Sequence, residues 1–170
     1  SYVFADEEDR NNLPGIEVLD EADLLLVSVR RRVLPKEQME AIRRFITAGK
    51  PVVGIRTANH AFSLRGSEPP EGLAAWETFD ADVFGGNYTG HHGNELHPEV
   101  DLADGAGEHP ILAGVDVTDL RGHGSLYKVA PLAASAVPLL TGSIPDKPVE
   151  PVAWTNENKY GGRVFYTSLG

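Results

Sequence analysis

The chain contains no cysteine, a single methionine and two tryptophans in 170 residues. The absence of cysteine excludes a thiol nucleophile, a disulfide and thiolate-ligated zinc together. It leaves the compartment open, because a cysteine-free chain suits either redox environment. Basic charge is also scarce: 15 Lys and Arg stand against 25 Asp and Glu, for a net charge of -10. That balance argues against nucleic acid and anionic membrane as partners, since both need clustered cations. The only basic run, Arg30-Arg31-Arg32, reads as a solvated face. No stretch approaches the roughly 18 apolar residues of a transmembrane helix, so the expectation is a soluble protein, either cytoplasmic or exported.

At this length and 41% hydrophobic content, one core and one domain are expected. The 18 glycines and 12 prolines imply many turns and short elements. There is no internal repeat and no low-complexity tract. Ser1 and the strand-like run before Gly170 make both ends read as cut, so residues 1–170 are expected to be one domain truncated at each end.

Leu24-Leu25-Leu26-Val27-Ser28-Val29 is nearly continuous apolar sequence, which predicts a parallel strand buried on both faces. Pro35 opens a helix, Met39, Ile42, Phe45 and Ile46 recur at helical spacing, and Gly49 closes it. Pro51 to Ile55 is the next strand, completing a βαβ unit. Leu73 to Phe79 reads as a second helix, and 85–107, rich in Gly, Asn and His, reads as a long functional loop. Leu126 to Val129, Val137 to Leu140, Val149 to Trp154 and Arg163 to Ser168 are short strand candidates.

Chemistry is expected where the strand at 51–55 runs into Arg56-Thr57-Ala58-Asn59-His60. Open α/β sheets place their sites at such carboxyl-edge corners. Arg56 ends a buried strand, where an unpaired guanidinium is costly. Either it grips a substrate anion or polarised oxygen, or it pairs with Asp23, Asp80 or Asp82; the two readings are compatible. Thr57 and Ser63 lack a Gly-x-Ser-x-Gly frame, so a serine nucleophile is discounted.

The six histidines are His60, His91, His92, His97, His109 and His123. His60 and the His91-His92 pair, flanked by Gly90 and Gly93, are expected to converge on the same edge. Two chemistries follow: His60 and His92 as ligands of a divalent metal such as zinc, with Asp80, Asp82 or Glu95 adding an oxygen, or His91 and His92 as acid/base groups without metal. A third reading has the paired histidines simply shaping the loop through backbone hydrogen bonds. Trp76, Trp154, Tyr127 and Tyr166 read as core aromatics, whereas Tyr88 sits within the glycine-rich loop, where it can meet a ligand.

Several segments together resemble the ThuA-like (trehalose utilisation) family, whose fold is that of class I glutamine amidotransferases. They are Ala22-Asp23-Leu24, the run Gly49 to Phe62, Val83 to Gly93, His109-Pro110-Ile111-Leu112, Leu126-Tyr127-Lys128, Pro151 to Thr155 and Gly162 to Gly170. The resemblance implies a flavodoxin-like three-layer α/β/α sandwich with a mostly parallel sheet. It also implies a role in carbohydrate metabolism and a cleft lined by the elbow, the His-His loop and the end of the last strand. Arg56 stands where amidotransferases carry the nucleophilic cysteine, so glutaminase activity is not expected. Members often have a histidine just after the final Leu-Gly, which lies past Gly170.

The expected catalytic residues are thus Arg56, His60, His91 and His92, with Thr57, Asn59, Tyr88 and Glu95 contacting substrate. The expected partner is a small-molecule carbohydrate, with homo-oligomer formation left open. Two functions stand: a hydrolase or lyase acting on a sugar or keto-sugar derivative, or a non-catalytic carbohydrate-binding or regulatory domain on a scaffold that lost its nucleophile.

Overall fold

The computed structural model describes residues 1–118 and 120–170. In chain order its elements are β1 (Leu25–Val27), β2 (Leu34–Pro35), α1 (Lys36–Thr47), β3 (Val52–Ile55), β4 (Leu73–Ala74) and β5 (Gly90–His91). There follow β6 (Glu99–Leu102), β7 (Tyr127–Lys128), β8 (Val137–Ser143), β9 (Glu150–Glu157) and β10 (Arg163–Thr167). Six strands form one sheet in the order β1-β3-β10-β9-β8-β6, and β2-β4 and β5-β7 form two small ribbons.

The α/β class is as expected, and the sheet is mixed. β1, β3 and β10 run parallel, whereas the β10-β9, β9-β8 and β8-β6 pairings are antiparallel. This revises the expectation of a mostly parallel sheet. The turns at 144–149 and 158–162 are too short for a parallel crossover, so β8, β9 and β10 pair antiparallel in succession. The 85–107 segment is also more ordered than a bare loop, because β5 and β6 fall within it.

α1 forms as its spacing requires. Met39, Ala41, Ile42, Phe45 and Ile46 are buried along one stripe, and Gly49 adopts a left-handed φ of 74° just past the end. Burying each large side chain of that stripe is worth about 1.5–3 kcal/mol. The stripe joins Val52, Val164, Trp154 and Tyr166 of the sheet in the larger core cluster. Gly54 is required in β3, because a Cβ there would lie 2.5 Å from the Phe84 ring and 2.9 Å from Tyr166.

Two other expectations are corrected. β1 has only β3 beside it, so it is an edge strand, and Leu24 and Leu26 remain about half exposed, at 51% and 53%. Leu73 to Phe79 is not helical: β4 pairs with β2, and a π-helical turn follows at Asp80–Phe84. Glu68-Pro69-Pro70 and Gly72 leave that segment no upstream turn from which to propagate a helix. No helix among the described residues is long and apolar enough to cross a membrane.

Candidate functional site

β3 ends at Ile55, whose register partner in β10 is Thr167, so the carboxyl ends of the two strands lie side by side. A 3-10 turn, Arg56–His60, follows β3 directly. Arg56 turns the corner at φ 52°, a left-handed conformation that a non-glycine residue adopts only under constraint. The buried Tyr166 supplies part of that constraint, its hydroxyl donating to the Arg56 carbonyl at 2.6 Å. The strained strand-to-turn elbow is therefore present, and an arginine occupies its apex.

Arg56 does not pair with Asp23, Asp80 or Asp82. Its Nη1 donates to the Ser168 carbonyl at 2.7 Å and the Ser125 carbonyl at 3.4 Å, and its guanidinium lies 4.7 Å from the Tyr127 ring centroid. The loop at 122–125 passes so close that a Cβ at Gly124 would sit 2.2 Å from Arg56 Nη2. Carbonyl oxygens and an aromatic face thus hold the guanidinium in place of the acid that one of its two readings offered.

His60 is buried, and its ring stacks on Tyr88 at 4.4 Å between centroids with 18° between planes. Tyr127 lies 5.9 Å from His60 and 5.0 Å from Tyr88, closing a three-ring cluster. The Nδ1–H of His60 donates to Asn59 Oδ1 at 2.6 Å. Burial first, then the charges of Arg31, Arg30, Arg65 and His91, push His60 down to about 3. The imidazole is therefore neutral at physiological pH and serves as a hydrogen-bonding and stacking group.

The two neighbouring histidines separate across their strand. His91, opposite Tyr127 in the β5-β7 pairing, is exposed, and its ring lies 6.2 Å from that of Tyr127. Its Nδ1–H donates to the His92 carbonyl at 2.7 Å. Burial lowers the pKa of His92, Lys128, Lys147 and His91 add to the lowering and Glu150 opposes it, while the His92 N–H donates to the Leu126 carbonyl at 2.9 Å. Alternation along an extended chain accounts for the split.

The metal expectation for His60 and His92 finds no donor set. Among the described residues no three His, Cys, Asp or Glu side chains gather as a metal site. Asn59 holds His60, and Thr57 donates its hydroxyl to the Val29 carbonyl at 2.9 Å. Both residues therefore shape the elbow. Glu95 is exposed and folded against Gly93, where a Cβ would lie 2.2 Å from Glu95 Oε1. His109 caps a short turn by accepting from the Ile111 N–H at 3.2 Å, and His97 packs edge-on near His123.

Asp80 holds the glycine-rich turn beneath Tyr88. Its Oδ2 accepts the Tyr88 N–H at 2.7 Å, and its carbonyl accepts Gly85 N–H at 2.9 Å. Its Oδ1 is buried with no hydrogen-bond partner among the described residues. Burial pushes this carboxyl up to about 7, and the Tyr88 N–H offsets only part of the shift. Sequence reasoning placed Asp80 as a partner for Arg56 or a metal, and read Tyr127 as plain core. The contacts of Tyr127 join distant parts of the chain and carry no local signal, whereas Asp80 bonds Tyr88 only eight residues on, through a turn that no motif marks.

Comparison with known proteins agrees with this fold. Three solved structures share the fold: a ThuA-like protein from Bacteroides uniformis (17% identity, TM-score 0.63, 91% of this chain and 62% of that one); a ThuA-like protein from Parabacteroides merdae (17%, 0.56, 89% and 61%); and a cytoplasmic protein from Salmonella typhimurium (13%, 0.53, 90% and 62%). The chain thus spans about three fifths of their length. No curated protein matches the sequence. The family described as ThuA, trehalose utilisation, matches residues 2–170, and the chain belongs to that family.

Proposed function

We propose that the protein acts in carbohydrate metabolism on a sugar or keto-sugar derivative held in the His/Arg-lined cleft, without glutaminase activity. The observation that carries this reading is the elbow itself. Its strained apex presents Arg56 where a nucleophile would stand, and the His60, Tyr88 and Tyr127 rings form an aromatic wall beside it. Aromatic faces and planar guanidinium donors suit a sugar ring with a carbonyl or acidic substituent.

In the catalytic form of this reading, His91 is the acid/base group, because it is the exposed histidine beside the cluster. Arg56 stabilises developing negative charge, and neutral His60 orients the substrate. The binding-only alternative uses the same cleft without turnover.

A panel of sugars and keto-sugars, followed by calorimetry and by product analysis, separates the two. Loss of turnover on His91→Ala with binding retained supports catalysis. Binding with no turnover of any bound sugar supports the binding role. Ammonia release from glutamine would contradict both.

A further inference from the structure

The charge of the cleft is opposite to that of the chain. In a protein of net charge -10, the charges acting on the Tyr88 hydroxyl are Arg31, Arg65, Arg30 and Arg56. Three of these four also have left-handed backbones, with φ of 48° at Arg31, 52° at Arg56 and 58° at Arg65. Strain of that kind costs about 1–3 kcal/mol per residue and persists where the surroundings impose it. The arginine run splits accordingly. The charges of Arg30 and Arg31 act on Tyr88, whereas the neighbouring charge acting on Arg32 is Arg10.

Local contacts leave these cations unneutralised. Among the described residues none of the four arginines forms an ion pair within 4.0 Å. Glu77, the acid whose charge reaches Arg31, is already engaged. It accepts from Ser63 Oγ at 2.7 Å, from the Gly66 N–H at 3.3 Å and from the Leu64 N–H. The Arg31 backbone N–H donates to the His60 carbonyl at 3.3 Å and its Nη1 to the Ser63 carbonyl at 3.3 Å, which ties its backbone to the elbow and its guanidinium to the segment just before Arg65. Its Nε is buried with no partner among the described residues. Converging cations with an orphaned guanidinium N–H are what a bound carboxylate or phosphate would satisfy.

We propose that the cleft takes an anionic sugar derivative, a sugar carboxylate or sugar phosphate, whose anion lies on Arg31, Arg30 and Arg65 and whose ring lies beside Tyr88. This rests on the reading of the cleft as a carbohydrate site and names the class of substrate. Bidentate donation from Arg31 fixes the anion, and the exposed Arg30 and Arg65 add attraction.

Calorimetric titration with D-gluconate, glucose 6-phosphate, glucose and inorganic phosphate tests it. At least one anionic sugar is expected to bind ten or more times tighter than glucose, and which one binds distinguishes carboxylate from phosphate. The double variant Arg30→Gln/Arg65→Gln, at exposed positions, is expected to lose at least tenfold in affinity with an unchanged melting curve. Arg31→Lys, which keeps the charge but loses the fork, should weaken the same anion at least as much, and Arg44→Gln, on the surface beside Asp20, should change nothing. Equal binding of glucose and its anionic derivatives, unaffected by the double variant, would overturn the anion site while leaving the carbohydrate reading intact. Phosphate binding without any sugar preference, or no binding at all, would overturn both.

Discussion

The elbow at 52–60 and the histidine loop at 85–93 meet where His60 stacks on Tyr88, but they are built in opposite ways. The elbow is buried and tied on several sides: Tyr166 holds its backbone, Ser168 and Ser125 hold the Arg56 side chain, and Asn59 holds His60. The loop is attached by the β5-β7 ribbon, by the His92 N–H to the Leu126 carbonyl at 2.9 Å, and by Asp80 beneath Tyr88. His91 at its tip is exposed. On the proposed reading the elbow supplies preorganised charge and the buried His60 ring, and the loop supplies Tyr88, stacked on that ring, and the accessible His91 imidazole.

If the elbow is the rigid partner, its arginine should matter most. Arg56→Ala removes a charged donor from two carbonyls and a cation from the Tyr127 face, and is expected to cost about 2–4 kcal/mol in a denaturant titration. An effect under about 0.5 kcal/mol would show that the elbow does not depend on it.

His60 and Asp80 provide a pH test of the same contrast, with opposite signs. His60 falls from the ordinary 6.5 to about 3, so the unfolded chain binds its proton more readily and stability is lost as pH falls below 6.5. Asp80 rises from 3.8 to about 7, so the unfolded chain releases its proton more readily and stability is lost as pH rises towards 7. The two slopes oppose each other across the weakly acidic range. Asp80→Asn should therefore unmask a stability that climbs with pH up to 6.5, and His60→Phe one that declines over that range. Melting temperatures from pH 4 to 8 would show either result, and parallel curves for both variants would refute the assignment.

Smaller effects probe the cleft more locally. Gly124→Ala places a methyl against Arg56 Nη2, the free end of a flexible side chain. Displacing the guanidinium disturbs its bonds to the Ser168 and Ser125 carbonyls, so stability should fall by part of the Arg56→Ala cost, about 1–2 kcal/mol, and ligand affinity several-fold. His91→Ala, at an exposed position, should alter stability by less than about 0.5 kcal/mol. Its consequence is expected in turnover alone, and an equal loss of stability would erase the distinction between loop and elbow.

What the sequence made legible followed local rules. The stripe Met39, Ile42, Phe45 and Ile46 announced α1, the run at 51–55 announced β3, and the strand candidates at 126–129, 137–140, 149–154 and 163–168 became β7 to β10. Arg56 and His60 were legible because they follow an apolar strand directly. The parts that were missed depend on distant contacts. Nothing near Arg56 announces the carbonyls of Ser125 and Ser168 as its partners, 69 and 112 residues away. Nor does the Arg30-Arg31-Arg32 run show that Arg65 will join two of its members while the third turns elsewhere. The false helix at 73–79 came from apolar periodicity in a segment whose pairing with β2 prevailed.

A crystal structure of the protein grown with D-gluconate or glucose 6-phosphate, at concentrations where calorimetry shows binding, would locate the sugar derivative. Density is expected between the elbow and the histidine loop, with the anion within hydrogen-bond distance of Arg31 and the ring beside Tyr88. A ligand seated elsewhere, with the His60, Tyr88 and Tyr127 cluster untouched, would contradict the assignment of that cleft.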